Sequence, residues 1–485
     1  MPSLSLLLVA PLVAAALAIV VKPYRRFVGW AGVVLASLSS AASGTLAIQV
    51  VRDGPVSGRA GDIWRVDALS AMLALCIAFV ALLASLLGPG LADERDDDPA
   101  RTRRFRIFMN AFAFTMLAAV TTGNVALMWV AVEATTIMSA IVIPLDRTKA
   151  SVEASWKYIL ICSVGIALAF TGTVLAYFDF VSTAGEVPGS LNWDVLRDAA
   201  PSLHPELLQL AFAFILIGYG TKAGLAPMHT WLPDAHSEAP PAISAMMSGV
   251  LLAVAMYAIA RWKVVVDGAV DRRFTTTLLI AFGLASVALG AFSLVIQRHY
   301  KRMLAYSSIE HMGLVAVGLA LGPLGTFAAW LHVANHAIAK SASFLLAGRV
   351  LRRYGTTEID DVTGLLRAMP WTGTLLAAGI LALVGLPPFG LFVSEFLLVR
   401  AAVETRHLAV VGLVLLLMAV AFVSLLGHLN RMLYGDPPPA VATGERRSWP
   451  LFALAVPIAL LIVLGVALPA PVDALIRQCV ASLAP

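Results

Sequence analysis

Two groups of ionisable side chains occur where the sequence is otherwise apolar. One is Lys222, inside the apolar stretch 207–232, and the other is the series His332, His336 and Lys340. A charged side chain within a membrane span is costly, so such residues usually face a protein interior or a water-filled cavity. These two groups therefore predict a site for moving charge across a membrane.

The sequence around Lys222 weakens a helix in the middle of its span. Gly218, Gly220 and Gly224 precede Pro227, and both residue types disfavour a helix interior. A break at this depth is tolerated where the freed backbone is buried in protein or lines a cavity. The alternative is that Lys222 extends to the nearer interface. That interface lies about 17 Å away at the helical rise, which exceeds the reach of a lysine side chain.

The histidine series has the spacing of one helical stripe. His332, His336 and Lys340 are four residues apart, so they lie along about 12 Å of one helix face. Histidine exchanges protons near neutral pH, and such a stripe can hand protons along its length when water bridges the gaps. The alternative is zinc, which His-x-x-x-His spacing also suits. No acidic or thiol ligand occurs in this stretch and no HExxH motif exists, so we predict no metal.

Glu133 is a further charge far from either interface, within the stretch 125–145. An isolated buried carboxylate is costly, whereas a carboxylate and a lysine can share one charge state. We predict that Glu133 and Lys222 form a pair whose charge changes as protons pass. The alternative is a structural pair that only orients two helices.

Other ionisable residues are candidates for the same path, each with a structural alternative. Lys157 begins its span, where its side chain can instead extend to the interface. Glu310 can pair with the basic residues at 298–302, and the deeper His311 is either a core histidine or a relay. The histidines towards helix ends, for which an interfacial role is the alternative, are His229, His236 and His428.

The composition is that of a helical membrane protein. Of the 485 residues, 60% are hydrophobic and 13% are charged, which lies outside the range of soluble domains. The net charge of +5 comes from basic residues in connections, so it does not indicate nucleic-acid binding. Three cysteines without CxxC spacing exclude an iron–sulfur cluster. No P-loop or dinucleotide fingerprint is present, so partners must supply energy and electrons.

The predicted fold is an all-α polytopic membrane protein with about fourteen transmembrane helices. A connection at 179–205 is rich in Gly, Pro, Ser and Asp and is expected to be exposed. The predicted spans are 3–21, 28–51, 67–88, 105–122, 125–145, 156–178, 207–232, 241–262, 276–296, 304–321, 325–349, 371–398, 407–432 and 450–470.

The interrupted span at 207–232 has a counterpart at 371–398. There, the segment from Gly385 to Gly390 breaks the helix just before Glu395. Paired broken helices in corresponding positions indicate inverted repeats. The predicted units are three N-terminal helices in 1–104, repeats in 105–263 and 276–432, and a C-terminal helix in 449–485.

The distribution of Lys and Arg predicts the orientation. They are more frequent in the connections after odd-numbered spans, so the positive-inside rule places both termini on the outer side. The first 20 residues have no basic segment before the apolar run, which favours a retained first helix over a cleaved signal peptide.

Several motifs in this chain occur together in one known family. They closely resemble the antiporter-like membrane subunits of respiratory complex I, which are shared with Mrp-type sodium/proton antiporters and membrane-bound hydrogenases. The resemblance covers about residues 105–435, and within the family Ser308 to Gly313 is most similar to the F component of hydrogenase-4. The motifs are Gly220-Thr221-Lys222, His229 to His236, Ala239-Pro240-Pro241, Leu304 to Gly313, His336-Ala337 with Lys340, and Gly385 to Gly390 with Glu395.

The resemblance implies fourteen helices, two inverted five-helix repeats and a hydrophilic axis at mid-membrane. By analogy, Glu133 and Lys222 are the pair of the first half-channel. Lys340 is the central lysine of the second half-channel, and Glu395 is its exit-side charge. The family often has a lysine or histidine in the eighth helix, whereas 248–253 carries no ionisable group in this chain.

These observations predict a proton-translocating membrane subunit of a redox-driven complex, hydrogenase-4-like or NADH:quinone oxidoreductase-like, in the inner (plasma) membrane. Expected partners are other membrane subunits and a peripheral redox module, and iron–sulfur, nickel–iron or flavin centres are expected only in those partners. One alternative is a subunit of a Mrp-type sodium/proton antiporter, which sodium-dependent proton flux would favour. Another is a membrane scaffold for a redox module, which the uncharged 248–253 stretch favours.

Overall fold

The structure is a computed structural model that describes residues 2–57, 63–91, 98–446 and 448–484. This part is mostly helical, with one two-stranded antiparallel hairpin. The elements are α1 Pro2–Val20, α2 Arg26–Asp53, β1 Val56–Ser57, β2 Arg65–Val66, α3 Ala68–Leu87, α4 Pro99–Thr121, α5 Val125–Val142, α6 Lys149–Ala184, α7 Trp193–Ala199, α8 Pro205–Ala223, α9 Leu232–Glu238, α10 Pro241–Met246, α11 Leu252–Ala269, α12 Arg272–Val295, α13 Tyr300–Ala320, α14 Gly322–Tyr354, α15 Leu365–Ala368, α16 Pro370–Leu383, α17 Gly390–Glu404, α18 Leu408–Leu433, α19 Trp449–Val466 and α20 Ala470–Ser482.

Ten helical units in the described part of the chain are long and apolar enough to cross a membrane. On α6, the exposed side chains of Trp156, Leu160 and Val164 form a stripe with helical spacing, as expected of a surface that faces lipid. The protein is therefore a mostly helical, multi-pass membrane protein, as the sequence predicts. The ten units are α1, α2, α3, α5, α6, the α10–α11 unit, α12, α13, α18 and α19.

Polar residues at helix starts explain where several spans begin. The side chain of Asp67 accepts a hydrogen bond from the Ser70 amide at the start of α3, and Asn124 caps α5 through two backbone amides. Thr148 caps α6 in the same way. Each cap satisfies amides that have no partner within the first turn, so it fixes the residue at which the helix begins.

Small residues bring α6 and α8 close together. A Cβ atom at Gly165 would lie 2.6 Å from the Thr221 Cβ, and one at Gly172 would lie 2.5 Å from the Ala211 carbonyl oxygen. Lipid gives helices no hydrophobic driving force to associate, so they associate through the close packing that small residues allow. This contact places the polar face of α6 next to the C-terminal end of α8.

The α10–α11 unit, α13 and α14 form the centre of the bundle, and nearly all side chains of the first two are buried. A π-helical turn, Met247–Leu251, joins α10 to α11 and packs on α14. Such turns inside α-helices are frequent at functional sites.

Three elements differ from the sequence prediction. The connection at 179–205 is partly helical, because α6 continues to Ala184 and Trp193–Ala199 forms α7. The region predicted as one C-terminal helix contains two, α19 and α20. The extra helices are short and amphipathic, so a search for long apolar stretches does not detect them. α20 buries Leu475, Ile476 and Cys479 and packs against α3 and α14.

Candidate functional site

The first helix break is closed by hydrogen bonds from neighbouring elements. α8 ends where Gly224 adopts a left-handed conformation, with φ of 75°, and glycine adopts this conformation without steric cost. The Trp231 indole donates to the Thr221 carbonyl at 2.8 Å, and the Ser286 hydroxyl of α12 accepts from the Ala226 amide at 2.9 Å. The break that the sequence predicts is therefore present, and its exposed backbone groups are paired within the protein.

Lys222 is completely buried beside this break. Its ammonium group donates hydrogen bonds to the Tyr158 hydroxyl at 2.6 Å and to the Thr136 hydroxyl at 2.8 Å. The ammonium nitrogen also lies 4.7 Å from the centre of the Tyr158 ring. The alternative of extension to an interface is wrong, because the side chain ends inside the bundle.

Glu133 connects to Lys222 through Thr136 and does not form a direct ion pair with it. Its carboxylate accepts a hydrogen bond from the Thr136 hydroxyl at 3.1 Å and another from the Ser163 hydroxyl at 2.9 Å. Glu133 is partly exposed at the protein surface. A continuous set of hydrogen bonds thus runs from the partly exposed carboxylate on α5 to the buried lysine.

The second helix break holds polar groups against glycines. α16 ends at Leu383 and α17 begins at Gly390, as the sequence predicts. The carboxylate of Glu395 occupies the space that a side chain at Gly385 would fill, and the side chain of Asn335 lies in the same way against Gly390. The glycines of this motif therefore create room for a buried carboxylate and an amide.

The predicted histidine stripe is present on α14, and α13 adds a third histidine to it. His311 lies with its ring centre 5.0 Å from that of His332 and 5.1 Å from that of His336. The Nδ1 atom of His311 is 3.0 Å from the Nε2 atom of His332, and the Nδ1 atom of His332 is 2.9 Å from the Ser394 hydroxyl oxygen. All these side chains are buried. His311 is thus part of a hydrogen-bonded histidine cluster and is not an isolated core residue.

Lys340 continues the polar contacts towards the first half of the protein. It is completely buried and donates hydrogen bonds to the Ser307 hydroxyl and to the Leu304 carbonyl, the latter at 2.7 Å. The Ser308 hydroxyl also donates to the Leu304 carbonyl, at 3.1 Å, and lies 2.7 Å from the Ser248 hydroxyl. Ser248 belongs to the π-helical turn. The 248–253 stretch, which has no ionisable group, is therefore connected to Lys340 through the hydroxyl groups of Ser248 and Ser308 and the Leu304 carbonyl.

His236 lies inside the protein. The alternative of an interfacial role is wrong, because α9 turns within the protein and its histidine is completely buried. Neither ring nitrogen has a hydrogen-bond partner among the described residues. The ring centre lies 5.9 Å from those of Trp231 and Phe344, and Trp231 in turn packs 4.8 Å from Tyr158. The sequence signal was the apolar α10–α11 unit directly after α9, which returns the chain to the bundle.

Two candidates lie away from the buried groups. Lys157 has a side chain that is 47% exposed and forms ion pairs with Glu153 at 2.7 Å and Asp234 at 3.3 Å. His229 is only partly buried, in the connection between α8 and α9. Of the two interpretations of Lys157, the structure favours the interfacial one.

Glu310 lies inside the bundle, and the alternative that pairs it with the basic residues at 298–302 is wrong. It packs against Gly290 of α12, where a Cβ atom would come within 2.9 Å of the Glu310 Cβ. Arg302 instead pairs with Asp234 at 2.9 Å, and Lys301 donates hydrogen bonds to backbone carbonyls. The second half of the site therefore contains two buried carboxyl groups, those of Glu310 and Glu395.

The fold and these buried groups define a multi-pass membrane protein with ionisable side chains at the centre of its helix bundle. The family model described as "NADH:quinone oxidoreductase/Mrp antiporter, TM" matches residues 122–421. This match covers more than half of the chain, and the chain belongs to that family. The resemblance inferred from the sequence motifs is confirmed.

Similar proteins include members of several membrane complexes. The chain is 38% identical over 421 residues to the hydrogenase-4 component F homolog of Methylacidiphilum infernorum, covering 85% of this chain and 86% of the relative. It is 30% identical over 376 residues to a Na(+)/H(+) antiporter subunit of Alkalihalophilus pseudofirmus, covering 76% and 74%. A chain of the membrane-bound sulfane sulfur reductase, an archaeal respiratory membrane complex, superposes with a TM-score of 0.88 at 27% identity, covering 99% and 97%.

Proposed function

We propose that this chain is a proton-translocating membrane subunit of a redox-driven complex. The observation that supports this function most directly is the fully buried Lys222, which is hydrogen-bonded through Thr136 to the partly exposed Glu133. A lysine inside a membrane span is costly, and such residues commonly mark ion or proton pathways. The Thr136 hydroxyl, which accepts a hydrogen bond from Lys222 and donates one to Glu133, is suited to passing a proton between the two.

The proposed route continues from Lys222 to the second half of the protein. His236 lies between the halves, and Trp231 packs between it and Tyr158, so water must bridge this step. Beyond His236, the proton passes to Lys340. The groups that then carry it towards the outer side are His336, His332, His311, Glu310 and Glu395.

The neighbouring subunit is proposed to dock on the Glu133 face. A cavity of about 360 Å³ lies between α5 and α6, with Thr136 and Ser163 among its lining residues. Both residues donate hydrogen bonds to Glu133, which is itself partly exposed. Because lipid cannot solvate a carboxylate in the middle of a span, another membrane subunit must cover this face.

Electrons and energy are proposed to come from a peripheral redox module. Iron–sulfur, nickel–iron or flavin centres are proposed to belong to such partners and not to this chain. The names of the relatives, a hydrogenase component homolog and a chain of a respiratory membrane complex, support a subunit role.

The detailed topology is part of the proposal. We count fourteen spans by adding α4, α8, α14 and the α16–α17 unit, which are charged or broken, to the ten apolar units. The repeats at 105–263 and 276–432 then each contain five spans, and the fourth of each is the broken one. The units 1–104 and 449–485 flank them. Both termini lie on the outer side of the plasma membrane in this arrangement.

A sodium/proton antiporter subunit is the second candidate function, favoured by the 30% identity to a subunit of such an antiporter. Gentle extraction followed by mass spectrometry separates the two candidates. Recovery of iron–sulfur or hydrogenase-like subunits supports the redox-driven complex. Recovery of small membrane subunits without redox centres, together with sodium-dependent proton flux, supports the antiporter.

Lys222→Ala tests the proposed function. In inverted vesicles that contain the whole complex, we expect this variant to abolish proton translocation while electron transfer continues at a reduced rate. Lys263→Ala is the matched control, because Lys263 forms an ion pair with Asp267 near the end of α11 and has no place in the proposed proton route. Full proton translocation by the Lys222 variant would contradict the assignment.

Thr136→Val should interrupt the link between Lys222 and Glu133 with little change in volume. A hydrogen bond to a charged group contributes about 1.5–3 kcal/mol, so we expect proton translocation to fall by about tenfold or more. Thr136→Ser keeps the hydroxyl and should retain most of the activity. Equal activity of the valine and serine variants, measured by the initial rate of proton uptake, would show that the proton does not pass this hydroxyl.

A further inference from the structure

The histidine cluster contains a set of groups that the sequence did not place together. His311 on α13, His332 on α14 and Glu395 on α17 each offer one ligand atom, and these atoms lie within 4.8 Å of one another. All three residues are buried. In the sequence, the histidine stretch lacks an acidic ligand, and for that reason no metal was expected. The fold supplies that ligand from another helix.

We propose that His311, His332 and Glu395 form a binding site for Zn²⁺. Two imidazoles and one carboxylate are a ligand set that proteins use for zinc, with a fourth position left for water or another ligand. The carboxylate also offsets part of the charge that the ion brings into the bundle. Because the three ligands come from three packed helices, the surrounding bundle fixes their positions.

The local geometry favours this set. Zinc bonds of 2.0–2.1 Å in a tetrahedron separate ligand atoms by about 3.4 Å. The His311 and His332 nitrogens are already 3.0 Å apart, and side-chain rotation can bring the carboxylate closer. The second nitrogen of His332 contacts the Ser394 hydroxyl at 2.9 Å, a contact that orients the ring as outer contacts do in known metal sites.

His336 lies beside the three ligands but outside the group whose ligand atoms are within 4.8 Å of one another. Its ring centre is 5.1 Å from that of His311, and neither of its ring nitrogens has a hydrogen-bond partner among the described residues. The Nε2 atom of His311 is also buried without such a partner. Buried polar atoms usually have partners, so these nitrogens can accept a ligand without losing an existing contact.

A cavity next to the cluster gives the ion a route. It has a volume of about 610 Å³ and lies between α14, α17 and α20, with Leu331 and Val393 in its wall. These two residues directly precede His332 and Ser394 in the sequence. Asp473, Arg400 and Arg477 also line the cavity, and the Asp473 carboxylate forms an ion pair with Arg477 at 2.7 Å. In the proposed topology this cavity opens to the outer side.

Zinc at this site is expected to block proton movement through the second half of the protein, a consequence that rests on the proposed function. The ion would replace the hydrogen bond between His311 and His332 and would hold Glu395 in one position. The binding itself does not depend on that function and is measured separately.

The binding experiment uses the purified complex with one equivalent of Zn²⁺, and Co²⁺ as a spectroscopic substitute. We expect one retained ion, with X-ray absorption showing imidazole and carboxylate ligands at about 2.0–2.1 Å. Glu395→Gln, which has nearly the same shape, and His332→Gln should each weaken binding at least tenfold. His428→Gln is the control, since His428 lies near the end of α18 and contacts the Leu294 carbonyl. Failure to retain zinc, or equal retention by all variants, would overturn the site.

A flux experiment separates this proposal from the proposed function. If zinc added on the outer side inhibits proton translocation by the native complex and the His428 variant, both proposals are supported. If the complex binds zinc but does not translocate protons even without zinc, the zinc site is supported and the proposed function is contradicted. If the complex translocates protons, does not bind zinc and is not inhibited by it, the zinc site is contradicted and the proposed function is supported.

Discussion

Replacement of Lys340 by methionine is expected to lower proton translocation by about a hundredfold, the scale on which a single positioned acid–base group contributes. Lys340 is completely buried and donates to the Ser307 hydroxyl and the Leu304 carbonyl. Methionine has a similar length but no proton to donate. The measurement is the initial rate of proton uptake by inverted vesicles, divided by the rate of electron transfer.

Lys340→Arg distinguishes a proton carrier from a fixed positive charge. An arginine remains protonated inside proteins, so it keeps the charge but cannot release a proton. We expect the arginine variant to fail as the methionine variant does, although both assemble into the complex. Lys263→Met is the control, because it removes a lysine that pairs with Asp267 and has no place in the proposed proton route. Proton translocation restored by arginine would mean that Lys340 serves only as a charge.

The two helix breaks were predictable because their cause is local. Glycine and proline weaken a helix wherever they occur in its interior, so the segments after Lys222 and before Glu395 indicate a break without knowledge of the fold. The stripe of His332, His336 and Lys340 was predictable for the same reason, since helical spacing alone places the three residues on one face. In both cases the structure agrees with the pattern.

The partners of these residues were not predictable, because they come from other helices. Thr136 follows Glu133 by one turn on α5, but its contact with Lys222 depends on how α5 packs against α8. His311 contacts two turns of α14, a geometry that depends on how α13 and α14 pack. Sequence spacing within one helix contains no information on such contacts.

The short amphipathic elements escaped prediction for another reason. α7 and α20 are 7 and 13 residues long, below the length that spans a bilayer. Their role is visible only in their contacts. The Trp193 ring on α7 packs 4.3 Å from the guanidinium carbon of Arg261, which attaches this connection to the bundle. Arg261 itself lay outside the set of residues that the sequence singled out.

Arg261→Leu is expected to destabilise the protein by about 3–5 kcal/mol, the cost of leaving one partner of a buried ion pair alone. Arg261 on α11 donates to the Asp67 carboxylate at 2.6 Å, and both side chains are almost fully buried, at 1% and 3% exposure. The guanidinium also lies 4.8 Å from the centre of the Tyr257 ring. Its loss leaves Asp67 charged and without its cation between α3 and α11. Thermal unfolding in detergent measures the effect.

The double variant Asp67→Asn/Arg261→Leu should recover much of the lost stability, because no charge is then buried alone. Asparagine is also as good a helix N-cap as aspartate, so the bond to the Ser70 amide at the start of α3 is retained. A double variant as unstable as the single one would show that Arg261 acts through its packing on Trp193 and Tyr257 and not through its charge. Since this pair takes no part in the proposed proton route, proton translocation per folded molecule should stay at the native value in both variants. These two variants thus distinguish a buried charge that stabilises the bundle from the buried charges that we assign to proton movement.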